Sequence, residues 1–512
     1  MFAAASSEAF ARMESFMKPT TSLALALAGA LGSVLFACGS DGGPSGGASP
    51  DVAPSPSTTT TTTGPGNSTP PDAGPPSPKP DAGDDAGTDD NRARCGATPY
   101  TWLPSTTMGD VLQAETKAQH TIIELNYALY KASSALKTTR LAKLGTKSKL
   151  LRYQTQDRGK PIDATALVSY PDVSGNKTYP IMLILHGTAG FNDACAPSKG
   201  VADDTFGGFL DEAAALMAVF ASFGYITVAP DYIGLKSLGA PTGFMHPYLV
   251  AEPTAIASLD AVRAAKKALV GSNVTPGDVV VMGGSQGGHA AAFVNRYAPH
   301  YAPELTIKGS VWDVPPTDLL NEAQVALGSW VNSTKNMVAV TAAFDSWYAS
   351  APGRLGSAFL APYDTSVPAA LASTCSSSQV LSGATRETLF APSYLAAGQK
   401  PNFDNLTPWA CYFTENSLPT TSVPKVDSIP SMFLLAANDE LVSTPTERAA
   451  FQKLCSQGHV LQYLECEGAG HTKPLTYAFD QWLDFLEARL AGTPLTDVCN
   501  VKPAERCTST PN

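Results

Sequence analysis

Positive charge, metal-ligand spacing and long apolar runs are what this sequence has little of. Lys and Arg number 34 against 45 Asp and Glu, a formal net charge of −11. That balance lacks the basic footprint of a nucleic-acid partner. There is no C-x-x-C pair and no Cys/His cluster, so nothing suggests a metal site, and no cofactor is implied. The absence of G-x-x-x-x-G-K-[ST] removes a phosphate-cradling loop. Charged residues make up 15% of the chain against 44% hydrophobic, lean for a cytosolic surface and ample for a large core. Much of the acidity is local, because residues 39–91 carry eight Asp and one Lys, or −7 of the −11.

Only one stretch approaches a membrane span. Lys18 precedes an apolar run over residues 23–37, too short to cross a bilayer comfortably, which reads as an export signal. It ends in Leu35-Phe36-Ala37-Cys38, followed by Gly39-Ser40, and resembles the bacterial lipobox in which the cysteine is lipidated. Phe36 is bulkier than the usual residue there, and ordinary cleavage near the same point is the alternative. Residues 1–16 are superfluous to either signal, and Met17-Lys18 makes a more typical start. Residues 39–94 follow as a linker of Pro, Gly, Ser, Thr and Asp with almost nothing to bury, hence a disordered tether. Without Cys38, eight of the nine cysteines remain, an even number that favours disulfides in an exported chain.

From Cys95 onward the pattern predicts alternating helices and strands. A helical region over 108–142 leads to strands at 150–154 and 164–170. Buried strands follow at 179–186 and 225–231, with helices at 209–220 and 256–270. Later strands lie at 279–282, 305–314, 431–437 and 460–465. Such alternation means an α/β fold with a mainly parallel sheet covered on both faces. Between 316 and 424 it is lost. That segment holds 11 charged residues and 12 aromatics in 109 positions, including Trp330 and Trp347. It is either extra packing or an apolar lid, inserted after the sixth strand. The expected division is 95–315 and 425–507 for the core and 316–424 for the cap.

The chemistry centres on Gly283-Gly284-Ser285-Gln286-Gly287, which fits G-x-S-x-G after a run of β-formers and before small helical residues. A serine on such a strand-to-helix turn is presented as a nucleophile, and glycines two residues either side remove collisions. A serine hydroxyl needs a base, normally a histidine oriented by a carboxylate. Of seven histidines, His471 in Gly468-Ala469-Gly470-His471 follows the last strand in a Gly-flanked loop. His120, His186, His246, His289, His300 and His459 sit in helical, turn or connecting contexts that suit the role less. Asp439, directly after the penultimate strand, is the expected acid, with Glu440 and Asp313 as competitors. The developing oxyanion needs two N–H donors, expected from Gln286 and from Thr188, with Ala189 as alternative to the latter.

Several motifs then fall in register: His186-Gly187-Thr188, Cys195-Ala196-Pro197-Ser198, Pro230-Asp231-Tyr232-Ile233-Gly234-Leu235, His246-Pro247-Tyr248-Leu249 and Tyr301-Ala302-Pro303-Glu304-Leu305. Ser422-Val423-Pro424-Lys425, Asn438-Asp439-Glu440 and Cys455-Ser456-Gln457-Gly458 continue the series. Together they resemble the secretory lipase family of α/β-hydrolases with an inserted helical cap, over about residues 95–500. The resemblance implies the triad Ser285, Asp439 and His471, and pairing of Cys195 with a cap cysteine and of Cys455 with Cys499. It also implies a small-molecule or lipid ester as substrate. A short-chain or aryl esterase or a peptidase of the same fold, and a non-catalytic surface binding protein, are the alternatives. The lipobox, the tether, and Cys95, Cys411, Cys466 and Cys507 depart from the family pattern.

If Cys38 carries the anchor, Cys38→Ser moves the protein from the membrane fraction to a soluble one, and mass spectrometry of the mature wild type finds an acylated N-terminal cysteine. One chain binds membranes only marginally, so several acyl groups are expected. An unmodified N-terminus in the wild type defeats the idea.

Overall fold

Strand β4 (Lys177–Leu185) shows why the central segments read as continuous apolar runs. Successive side chains point to opposite faces of a sheet. Ile181, Leu183 and Leu185 enter one buried cluster, while Met182 and Ile184 enter another behind it. Both faces are covered, so both sets of positions must be apolar. The computed structural model describes residues 94–203, 209–349, 354–377, 381, 383–426 and 428–511, with backbone alone for 209–213.

Nine strands form one sheet in the order β1-β2-β3-β5-β4-β6-β7-β8-β9. β1 (Val111–His120), β2 (Gly145–Asp157) and β3 (Lys160–Asp172) are antiparallel neighbours, and β3 joins β5 (Ile226–Pro230) antiparallel as well. From β5 through β4, β6 (Val274–Gly284), β7 (Ile307–Asp313), β8 (Ser431–Ala436) and β9 (Leu461–Cys466) every pairing is parallel. The mainly parallel α/β reading therefore holds. Helices α1 (Ile122–Leu136), α2 (Phe209–Ser222) and α10 (Phe479–Leu490) pack on one face, and α3 (Ala251–Ala268) and α4 (Gln286–Tyr301) on the other.

The helical reading of residues 108–142 needs correction. Residues 111–120 are rich in Ala, Glu, Lys and Gln, all good helix formers, yet they make β1. Pairing along the β2 edge decides the matter, since strand preference depends more on neighbours than on intrinsic propensity. The helix begins only at Ile122, where Thr121 and Glu124 cap each other's backbone N–H groups reciprocally. The extra strand also means that the insertion follows the seventh strand in chain order, not the sixth.

Between β7 and β8 the chain is helical: α5 (Leu319–Gly328), α6 (Asn332–Tyr348), α7 (Tyr363–Leu371), α8 (Pro392–Gly398) and α9 (Trp409–Glu415), with single turns between. Its aromatics pack mainly on one another. Phe344, Tyr394, Phe403, Trp409, Tyr412 and Phe413 are all fully buried in a third apolar cluster, which also takes in Phe191, Tyr248 and Val250 of the sheet domain. Disulfides Cys95–Cys411 and Cys195–Cys375 tie this insertion to the segments before β1 and after β4. Cys455–Cys499 and Cys466–Cys507 fasten the C-terminal tail beside β9. Both pairings implied by the family resemblance are present. The signal, Cys38 and the linker up to residue 93 lie outside the described residues. Among the described residues no helix is long and apolar enough to cross a membrane.

Candidate active site

Ser285 stands where β6 ends and α4 begins, with φ 55° and ψ −118°. A non-glycine residue in this region carries a cost of about 1–3 kcal/mol, sustained only when its surroundings over-determine it. They do so through backbone contact. The Ser285 N–H donates to the Asp313 carbonyl (2.9 Å) on the neighbouring β7. A Cβ on Gly283 would lie 2.2 Å from the Gly287 carbonyl oxygen, and one on Gly287 would lie 1.9 Å from that of Leu185. Both glycines are therefore obligatory for the turn, as the sequence pattern predicts.

The structure brings Ser285, His471 and Asp439 together. The Ser285 hydroxyl donates to His471 Nε2 (2.9 Å), and His471 Nδ1–H points at both carboxylate oxygens of Asp439 (2.9 Å each). Asp439 follows β8 directly, and its Oδ1 also accepts from the backbone N–H groups of Leu441 (2.9 Å) and Val442 (2.8 Å). These bonds fix the carboxylate in place and aim it at the imidazole. The His471 side chain is fully buried, and Ser285 is only 8% exposed.

The two competitors for the acid have other places. Glu440 accepts the backbone N–H of His471 (3.0 Å), so it fixes the loop rather than the ring. Gly470 makes room for it, since a Cβ there would come within 2.9 Å of Glu440 Oε2. Asp313 is fully buried, and among the described residues neither of its carboxylate oxygens has a hydrogen-bond partner. Burial, reinforced by the charge of Asp439, raises its pKa well above the ordinary 3.8. Among the described residues it orients nothing.

Of the expected oxyanion donors, Gln286 follows Ser285 directly and Thr188 lies three residues past the end of β4. Gln286 is the first residue of α4, at the positive end of the helix dipole. Its side-chain amide donates to His246 Nε2 (2.7 Å), while His246 Nδ1–H donates to the Ile233 carbonyl (2.8 Å). Burial pushes the His246 pKa down to about 3, which keeps this imidazole a neutral acceptor. Thr188 shares a hydrogen bond with the Tyr248 hydroxyl (2.7 Å). In the sequence, His246 and Tyr248 carry no role beyond the motif His246-Pro247-Tyr248-Leu249 of the family resemblance. Their signal was that motif's place beside a Pro, which gave no hint of contact with the elbow. Two other histidines play structural parts: His186 stacks on Tyr232, and His289 Nε2–H donates to the Asn416 carbonyl (2.8 Å).

Of the two insertion tryptophans singled out from the sequence, Trp330 is 42% exposed and Trp347 is buried. The Trp347 indole donates to Asp157 (2.9 Å), and its ring lies 5.5 Å from the Arg158 guanidinium. Trp347 thus pins α6 to the β2–β3 turn.

With this geometry in view, the comparisons are consistent. The secretory lipase family profile matches residues 211–343, from α2 through the elbow into the insertion. The fold is similar to a rice cell wall degrading esterase from Xanthomonas oryzae, at 19% identity and TM-score 0.57, covering 75% of this chain and 97% of that one. It is similar also to Candida antarctica lipase A in its closed state, at 18% identity and TM-score 0.60, covering 80% and 89%. No curated protein matches the chain in sequence. The fold is that of an α/β-hydrolase, and the matched segment supports a hydrolase enzyme.

Asp313 and Asp439 are separated by one pair of variants. The raised pKa of Asp313 means that the native state binds more protons than the unfolded one, so its share of stability falls as pH rises above about 3.8. Asp313→Asn is expected to flatten that decline in urea melts across pH and to leave turnover within a few-fold of wild type. Asp439→Asn should collapse turnover instead. The reverse pattern would make Asp313 the acid.

Proposed function

We propose that this protein is a serine hydrolase of carboxylic esters, acting as a lipase on acylglycerols or related acyl esters. The observation that carries the reading is the unbroken chain from the Ser285 hydroxyl through His471 to Asp439. Ser285 attacks the ester carbonyl as His471 takes its proton. The imidazolium then protonates the leaving alcohol, and water activated by the same histidine releases the acid from the acyl-enzyme. Asp439 holds the ring in the tautomer that leaves Nε2 free to accept. The backbone N–H groups of Gln286 and Thr188 receive the charge on the tetrahedral oxygen. The protein as a whole is an exported one in this reading, with a signal peptide, Cys38 as lipid anchor and residues 39–94 as tether. Four disulfides support an oxidising compartment.

In the same reading the insertion is a cap over the serine, and it provides the acyl site. The low exposure of Ser285 and the contact of the insertion's apolar cluster with Phe191 and Tyr248, near Thr188, support that placement. One observation favours a short-chain esterase instead: the largest aromatics of the insertion bury themselves against each other, which leaves fewer of them for an acyl chain.

Rates on p-nitrophenyl esters of increasing chain length, beside a peptide substrate, test the proposal. Each methylene buried in an acyl site contributes about 0.8 kcal/mol, so kcat/KM should climb with chain length until the site is filled. Ser285→Ala, His471→Ala and Asp439→Asn should each lower turnover by orders of magnitude while the melting temperature stays near wild type. A flat or falling chain-length profile leaves an esterase. Preferential peptide cleavage makes the enzyme a peptidase, and full activity in Ser285→Ala removes the serine mechanism.

A further inference from the structure

Given the triad proposed above, on which this reading rests, we infer that Glu322 of the insertion is a positioning residue for the reaction. Its carboxyl group holds the loop that carries Asp439, so the insertion sets where the triad acid stands. Glu322 lies in the first turn of α5, and both its oxygens face the backbone N–H of Ser443, at 3.0 and 3.2 Å. Ser443 ends the short segment that begins at Asp439. Within it the N–H groups of Leu441 and Val442 turn inward to Asp439 Oδ1 (2.9 and 2.8 Å), while that of Ser443 turns outward to the insertion. At its start the same loop is fastened to the histidine loop. The Asn438 N–H donates to the Ala469 carbonyl (2.9 Å), and Glu440 accepts the His471 N–H (3.0 Å).

The junction is reciprocal. Glu447, on the helix Thr444–Ser456 that follows the loop, reaches back to the chain entering the insertion. Its Oε1 accepts the Asp318 N–H (3.2 Å) and its Oε2 the Thr317 hydroxyl. Glu322 and Glu447 are both buried, and each serves polar groups across the junction instead of water. Burial, then the charge of Glu447 and those of Asp439 and Asp318, raises the Glu322 pKa well above its ordinary 4.5. This favours the neutral carboxyl group, whose carbonyl oxygen takes the Ser443 N–H, and glutamine reproduces that state in size and shape.

The consequence falls on the chemical step. His471 becomes an imidazolium as Ser285 attacks, and its bond to Asp439 gains most at that moment. Without Glu322 the Ser443 N–H loses its acceptor and the loop is free to shift, taking Asp439 with it. A displaced carboxylate weakens the transition state and leaves substrate binding as it was, so kcat falls while KM holds.

The test uses the full chain and p-nitrophenyl acetate, an ester with almost no acyl chain for the insertion to bind. Glu322→Leu is expected to lower kcat by up to about 100-fold with KM near wild type. Glu322→Gln, which keeps an acceptor of the same length, should recover most of that loss. Ser443→Pro removes the donor instead, at a φ of −67° that proline accepts. It should match the Glu322→Leu loss when judged against Ser443→Ala, which keeps the N–H, and it supplies the test where Glu322→Leu does not fold. The two changes combined should lower kcat no further than either alone, because both break one bond. Wild-type kcat in Glu322→Leu overturns the inference, as does a loss in Glu322→Gln as deep as in Glu322→Leu, or a change confined to KM. In each case an inactive Ser285→Ala leaves the triad standing. Activity in Ser285→Ala on the same ester removes the triad and this inference with it.

Discussion

The site depends on backbone packed directly against backbone. β4, β6 and α4 meet at Gly283 and Gly287 with no room for a single methyl group, and this contact keeps Ser285 in a conformation it would not otherwise adopt. Close packing of this kind has few soft modes, so the hydroxyl is fixed in space before substrate arrives. Everything else at the site is arranged around that point. The Asp313 carbonyl receives the Ser285 N–H, the helix dipole of α4 starts at Gln286, and two loops from the far strands deliver Asp439 and His471. The fixed position of Ser285 is thus a property of the sheet, not of flexible side chains.

How much of this could be read from the sequence follows from what each signal depends on. The elbow was legible because glycine positions report steric demands that any neighbour would impose. The placing of Asp439 and His471 beside Ser285 was legible because each comes within five residues of the end of an apolar strand, so the connection has limited freedom in where it puts them. β1 was not, because residues 111–120 have helical preferences and become a strand only through partners some 35 positions later. The same reasoning explains why His246 looked inert. Its importance is a hydrogen bond to Gln286, forty residues on, and nothing local announces it. The aromatic richness of residues 316–424 was real, but composition says nothing about which side of a helix faces the serine. Trp347 turned out to hold the insertion to the β2–β3 turn.

Buried ionisable groups are distributed unevenly. Around Asp439 they are negative: the Asp313 carboxylate has no hydrogen-bond partner among the described residues, and Glu322 and Glu447 are buried where the insertion's first helix meets the chain after β8. Glu447 is pushed up to about 8, mainly by burial. Between α4 and the entry to β9, Arg296 is buried with no carboxylate partner among the described residues, while on β9 the buried Glu465 is paired with Arg448. Burial of like charges without their opposites is tolerated only by shifting protons or by recruiting ions.

The insertion's two attachment points carry a consequence for how such a protein can change over generations. β7 and β8 are adjacent parallel strands, so the whole helical segment is merely the crossover between neighbours and can be replaced without altering the sheet. Its disulfides are another matter. Cys375 and Cys411 have their partners, Cys195 and Cys95, in the sheet domain and its leading segment. A graft that brought in a different crossover would strand two thiols, one of them beside the Gly190 turn that follows Thr188. The insertion is therefore tied covalently to residues outside it, and any replacement must keep Cys375 and Cys411 or change Cys195 and Cys95 with them.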